Sequence, residues 1–310
     1  LCSRASPLPY FMITSKEWKF VMAISGLVMF LTSLPWLYGF LATPYDHVFL
    51  WTQYTNIADF PVYFSYLEQV GQGHIFLKDL FTSEEQTRLL FNPFFLVVGL
   101  LAKLFSLPPP IAWQVVRLLL IPLALIIFYN FFAYFFKEIP ARKMAFLLLT
   151  FSSGLGVWFG KFFYNLGGGD NSLAWYWTPM DIWVPEANTF LTLYHNPLHL
   201  LALALIVLTM LLWLKSAEQN SWRHSLLAGA TAFTLILIHP YHIPTILLMP
   251  LVWILAWRFT KANVKLWPLI KRYLVLAGLL TPAIVYHIYL LVFDFSRKEN
   301  WAQSFGFTPH

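Results

Sequence analysis

The sequence predicts an all-α fold, a polytopic bundle of transmembrane helices, and three observations carry that reading. Of its 310 residues 59% are hydrophobic and only 11% charged, against about 25% charged in an ordinary soluble domain. Aromatic residues reach 19% and mean hydropathy +0.63, more apolar side chain than a soluble core of this length needs. The apolar residues are gathered into runs of about 20, the length that crosses a hydrocarbon layer as a helix. The net charge of +6 lies in short connections between those runs, where it sets topology, so no nucleic-acid partner is expected. The single Cys2 excludes a disulfide and a thiolate metal site. The chain lacks an initial Met and stops just after an apolar run, so a fragment of a longer protein is expected. Within 1–310 we expect a single transmembrane domain without internal repeats, with outer loops at 42–91 and 165–195.

Taken in order, residues 19–41 form a first span. Arg4, Lys16 and Lys19 before it place the N-terminus in the cytoplasm. The first outer loop is large and carries Asp46, Asp59, Glu68, Asp79, Glu84 and Glu85 against Lys78 and Arg88. Within it, 57–73 reads as a short surface helix. Asp59 can cap it and Pro61 suits its first turn. Ile57, Phe60, Phe64 and Leu67 then share one face, and Asp59, Tyr63 and Tyr66 another that looks towards a cavity.

Residues 92–107 and 111–136 are apolar and split by Pro108-Pro109-Pro110. Lys137, Arg142 and Lys143 return the chain to the cytoplasm, which requires an odd number of crossings. The shorter run, which carries Lys103, is therefore read as re-entrant or surface-lying. Residues 144–164 go out again. The loop 165–195 holds Asp170, Asp181 and Glu186 without Lys or Arg, and the aromatics Trp175, Tyr176, Trp177 and Trp183. Residues 196–214 return to Lys215 and Arg223, and 225–238 go out. The turn His239-Pro240-Tyr241-His242 sends 243–257 back to Arg258, Lys261, Lys265, Lys271 and Arg272. Residues 273–293 go out last, giving seven or eight apolar segments. On this topology every histidine except His224 falls at or near the outer end. Ionisable groups at membrane depth usually face a cavity or a partner, so the outer half is where chemistry is expected.

Several short motifs add to this. Asp59-Phe60-Pro61-Val62-Tyr63, the turn Gly71-Gln72-Gly73-His74, Asn92-Pro93 and Arg117 resemble the first-loop and second-segment pattern of GT-C-type glycosyltransferases. Ser152-Ser153-Gly154-Leu155-Gly156, the run Asp181, Glu186, Phe190 and Asn196-Pro197-Leu198-His199 are similar to a group of bacterial membrane proteins of that type. The resemblance covers about residues 22–214, and Phe60 stands where such enzymes usually carry a second acid. It implies a GT-C-like bundle in the bacterial inner membrane. The implied activity is transfer of a sugar from a polyprenyl-phosphate donor to an acceptor on the outer membrane face, with that donor and membrane lipids as partners.

Such transfer needs a base for the acceptor hydroxyl and groups that stabilise the departing phosphate. Asp59 is the candidate base, with Tyr63 its neighbour; the plainer reading is a helix cap. Asp46 is the rival, or an ordinary solvated acid. Glu186 is the candidate second acid. It or Asp181, in the same loop, would orient the acceptor or, with Asp59, hold a divalent cation, the one cofactor these acids admit. His195 and His199, spaced i,i+4, suit one helical face and a metal, a phosphate, or a satisfied interfacial position. His239 and His242 complete the same polar rim or cap helix ends. Arg117 contacts lipid phosphate, pairs with a buried acid, or snorkels to the headgroups. Trp183 and its aromatic neighbours stack on a sugar or isoprenoid, or form an interfacial belt. Gly167-Gly168-Gly169 lacks the strand and helix of a nucleotide loop. A transporter or lipid flippase would use the same acids and histidines to line a pathway, but repeat symmetry and mid-membrane charges would then be expected. A non-catalytic scaffold is the third reading.

Overall fold

A computed structural model describes residues 12–52, 59–82, 86–156, 158–159, 181, 184, 188–260 and 266–293. Among them the chain is all-helical apart from one isolated antiparallel bridge between Leu77 and Leu90. The helices are α1 (Ser15–Ala42), α2 (Asp59–Gly71), α3 (Pro93–Leu104), α4 (Pro109–Phe135), α5 (Ile139–Thr150), α6 (Thr189–His195), α7 (Pro197–Gln219), α8 (Trp222–Ile238), α9 (Ile243–Thr260) and α10 (Leu266–Phe293). A 3-10 turn, Pro240–His242, joins α8 to α9. Among the described residues five spans are long and apolar enough to cross a membrane: Ser15–Ala42, Pro109–Phe135, Pro197–Gln219, Pro240–Phe259 and Leu266–Phe293. The protein is a helical membrane protein. Its described residues fall into two compact units, the first drawn from Phe11–Phe60 and Trp113–Leu201, the second from Pro61–Ala112 and Ala202–His310.

In the first unit, α1 shows why so apolar a helix still has an inside. Val21, Ser25, Val28, Thr32 and Trp36 are buried at three- and four-residue spacing, while Phe30 and Tyr38 on other faces are exposed. That stripe packs against α4, which runs antiparallel: Tyr129 reaches Glu17 near the start of α1, and Arg117 reaches Thr32 beyond its middle. Glu17 closes the capping box of α1, accepting from the Thr14 N–H at 2.8 Å. Its other oxygen accepts from the Tyr129 hydroxyl at 2.7 Å and from Arg142 Nη1 at 2.9 Å. Arg142 also donates to the carbonyls of Phe136 and Lys137, where a cation suits a helix C-terminus.

In the second unit, Gly229 of α8 lets α10 approach so closely that an added Cβ would lie 2.3 Å from Leu279 Cδ1, as small residues do between membrane helices. Arg272 donates to the Ser216 carbonyl at 2.8 Å, closing the end of α7. Asn92 caps α3 through the N–H of Phe94 and donates to the Ile238 carbonyl at 3.1 Å. Gln69 on α2 clamps the following loop, donating to the Lys78 carbonyl and accepting from the Lys78 N–H.

Three expectations change. The face of α2 that was to carry Tyr63 and Tyr66 towards a cavity instead packs on α3. Tyr66 is buried, and the two rings lie 5.6 and 5.0 Å from Phe95. The apolar face stands: Phe60 and Leu67 are buried, while Ile57 lies outside the described residues. The apolar run at 92–107, expected to be re-entrant or surface-lying, holds only the 12 residues of α3, about 18 Å at the rise of a helix and too short to span, in keeping with that expectation. The run 144–164 is not one helix, since α5 ends at Thr150 and Ser152 Oγ turns back onto the Leu149 carbonyl. Finally, His195 and His199 belong to different helices.

Candidate functional site

The site is built from the ends of four helices in the first unit. Pro197 has no N–H and disfavours helical backbone in the residue before it. Asn196 is accordingly extended, ends α6, and caps α7 by accepting from the Leu198 N–H at 2.9 Å. That break leaves His195 at the last position of α6, fully buried. At the other end of α6, Asn188 accepts from the Leu191 N–H and donates to the Asp181 carbonyl. Phe190 donates its N–H to the Ser152 carbonyl and stacks on Phe151, fixing α6 to the end of α5.

His195 lies against Phe60 with ring centroids 5.6 Å apart. Phe60, the second residue of α2, also meets Trp36 of α1 at 6.3 Å and Trp113 of α4 at 6.2 Å. Trp36 lies 6.0 Å from Tyr194. Asp59 is half-buried and immediately precedes Phe60. Residues from the two predicted loops, Phe60 and His195, thus touch.

Beside them lies Arg117, 1% exposed. Its Nε donates to Gln114 Oε1 at 2.7 Å, Nη1 to Thr32 Oγ1 at 2.8 Å and to the Leu193 carbonyl at 3.4 Å, and Nη2 to Ser33 Oγ at 3.4 Å. It neither snorkels nor pairs with an acid: the described residues contain two ion pairs, Asp46–His47 and Glu17–Arg142, and neither includes it. Gln114, which accepts from Arg117, leaves its Nε2 buried without a hydrogen-bond partner, and Trp36 Nε1, Asn196 Nδ2 and both ring nitrogens of His195 are likewise buried without one. Each such group costs about 1–3 kcal/mol. Burial, helped by the neighbouring His199, lowers the imidazole of His195 to about 3, so it is neutral. Burial also raises the Tyr194 phenol, against the pull of the Arg117 charge.

The other predicted residues are placed as follows. Asp181 accepts from the Gly156 N–H at 2.9 Å through Oδ2. An added Cβ on Gly154 would sit 1.5 Å from that oxygen, so the Ser152-Ser153-Gly154 turn needs its glycine. One oxygen of Asp181 therefore positions backbone, and the other is buried without a partner. Asp46 pairs at 2.8 Å with His47, both well exposed, as a solvated loop acid would. Glu186, Trp183, Trp175, Tyr176 and Trp177 lie outside the described residues. His239 and His242 belong to the second unit, their rings 4.8 Å apart in the turn after α8. Beside that turn a cleft of about 400 Å³ is lined by Pro240, Tyr241, Pro244, Ile284, His287 and Leu291. Among the described residues no group of three or more His, Cys, Asp or Glu side chains could hold a metal ion.

Sequence reasoning missed Gln114 and Trp36. Gln114 could have been found, because a polar residue three before Arg117 on an apolar helix shares its face. Trp36 carries no such signal. No family model matches the chain, and neither does any curated protein or solved structure.

Proposed function

We propose that this protein is a membrane glycosyltransferase that moves a sugar from a polyprenyl-phosphate donor to an acceptor hydroxyl, with Asp59 as the base. The observation that carries the reading is the meeting of Phe60 with His195 at 5.6 Å. It brings residues of two loops, far apart in sequence, to one place, with Asp59 one residue away and Arg117 bonded to the Leu193 carbonyl. Asp59 takes the acceptor proton, while Arg117 and the neutral N–H of His195 hold the departing phosphate. Asp181 holds the second loop in place, and Glu186 is the second acid. In this reading His199, His239, His242 and Tyr63 are further substrate contacts, and Trp183 stacks on sugar or isoprenoid. In this reading the N-terminus is cytoplasmic, the membrane is the bacterial inner membrane, and the transfer takes place on its outer face.

The test is sugar transfer from a polyprenyl-phosphate donor in vesicles. Asp59→Asn is expected to lower turnover by about 100-fold to 10,000-fold, the span of general-base contributions, while Asp46→Asn leaves it unchanged. Full turnover in Asp59→Asn would remove Asp59 as the base.

A further inference from the structure

We infer that the basic end of the second unit, where α7 and α9 end and α8 and α10 begin, is a docking surface for the headgroups of anionic phospholipids. It uses none of the residues named for sugar transfer and stands or falls independently of that reading.

Residues 202–293 carry seven Lys and Arg, from Lys215 to Arg272, and one acid, Glu218. The whole chain has 20 Lys and Arg against 14 Asp and Glu, so the 13 cations and 13 acids elsewhere cancel and this stretch holds the entire excess. Residues 224–257 and 273–293 contain neither Lys nor Arg, which confines the charge to one end of the helices. The fold then gathers it. Arg272 of α10 donates to the Ser216 carbonyl of α7 at 2.8 Å, and its guanidinium lies 5.0 Å over the Trp222 ring at the start of α8. The hydroxyls of Ser216 and Ser225 bond α7 to α8. Arg258 lies in the last turn of α9. The five residues 261–265 that join α9 to α10 reach at most about 18 Å, less than half the roughly 42 Å length of α10, so Arg258 belongs to the same end.

These cations divide by what they touch. Arg272 is buried and satisfied inside the protein, by the carbonyls of Ser216 and Pro268 and the side chain of Asn220. Arg223, Arg258 and Lys271 are exposed. None of the three is in either ion pair of the described residues, and Lys271 lies 5.3 Å over the Trp267 ring. Orienting a chain during insertion requires only the charge; a lipid surface also requires cations left outward in the folded protein, and these three are. Their depth and surroundings name the partner. Arg258 and Phe259 stand at the end of the span Pro240–Phe259, and Lys271 opens the last one, Leu266–Phe293. All are within a turn or two of hydrocarbon, in the headgroup layer of a bilayer. Trp222, Trp267 and Phe259 are exposed beside them, at 50%, 61% and 85%. An acidic protein would answer the charge alone, whereas a lipid interface takes amphipathic rings and cations together. A zwitterionic headgroup brings its own ammonium against these side chains. Phosphatidylglycerol brings a phosphate with nothing to cancel it.

The experiment offers the full chain in detergent an equimolar mixture of phosphatidylglycerol and phosphatidylcholine with identical acyl chains. Lipid that stays with the protein through size-exclusion chromatography is then quantified by mass spectrometry. Each Lys or Arg beside an anionic surface adds about fivefold in affinity, so three exposed cations should retain phosphatidylglycerol at least tenfold over phosphatidylcholine. The triple variant Arg223→Gln, Arg258→Gln, Lys271→Gln should bring that ratio below twofold. Lys16→Gln, Lys19→Gln, Lys103→Gln removes the same charge from exposed positions elsewhere and should keep at least half of it. If the first variant does not fold, the unmodified chain in 1 M salt replaces it: the screening length falls to about 3 Å and the ratio should drop below threefold. Soluble glycerol phosphate at matched ionic strength separates a lipid from a free anion and should leave the bound phosphatidylglycerol in place. Equal retention of the two lipids, a ratio untouched by the first variant or by salt, an equal loss in both variants, or displacement by glycerol phosphate would overturn the inference.

Discussion

Arg142 and Arg117 are buried to the same degree in the same unit, yet one has a carboxylate and the other has only hydroxyls, an amide and a carbonyl. Around Glu17 every polar atom is spoken for: Thr14, Tyr129 and Arg142 saturate both oxygens. Of the four bonds of Arg117 two are as long as 3.4 Å, all go to neutral partners, and Gln114 Nε2 beside it goes unpaired. A saturated ion pair can only lock α1 against the corner between α4 and α5. An unsaturated cation retains bonding capacity for something else. Burial alone does not distinguish a structural arginine from a functional one; the count of unmet partners does.

The comparison can be broken most decisively at Arg142. Arg142→Ala leaves the buried Glu17 carboxylate without its cation, and should lower stability by about 3–5 kcal/mol in denaturant unfolding in micelles. Arg117→Met should cost far less, and an equal loss at both positions would end the contrast. A sharper probe of the saturated side is Tyr129→Phe, which removes a hydrogen bond to a charged acceptor and should cost about 1.5–3 kcal/mol. On the unsaturated side, pH provides the test. Burial lowers the His195 imidazole from 6.5 to about 3, so between those values the unfolded chain binds a proton that the folded chain does not. Its contribution is fully present above about pH 6.5 and is lost as pH falls towards 3, by up to about 1.4 kcal/mol per pH unit. His195→Phe should remove that part of the slope in unfolding midpoints measured across pH, and an unaltered slope would mean that His195 is solvated.

Some of this was legible beforehand because it is local. Asp59 and Pro61 announced α2, and Asn92-Pro93 marked the start of the apolar run that holds α3. The i,i+4 spacing of His195 and His199 misled because it assumes an unbroken helix, and Pro197 interrupts this one. Tyr63 and Tyr66 misled for another reason. A helical wheel shows which residues share a face, but not whether that face meets water or, as here, Phe95.

The sequence by itself determined the helical membrane class and most helix boundaries, because hydrophobic run length, prolines and capping residues act within a few residues of one another. It also supplied the candidates Asp59, Arg117 and His195. Only the tertiary structure decided that Phe60 covers His195, that Glu17 belongs to Arg142, and that Arg117 has no acid partner among the described residues. Those are pairings across 85 to 135 residues of chain, set by how whole helices pack, and no local pattern encodes which of several partners a buried charge will meet.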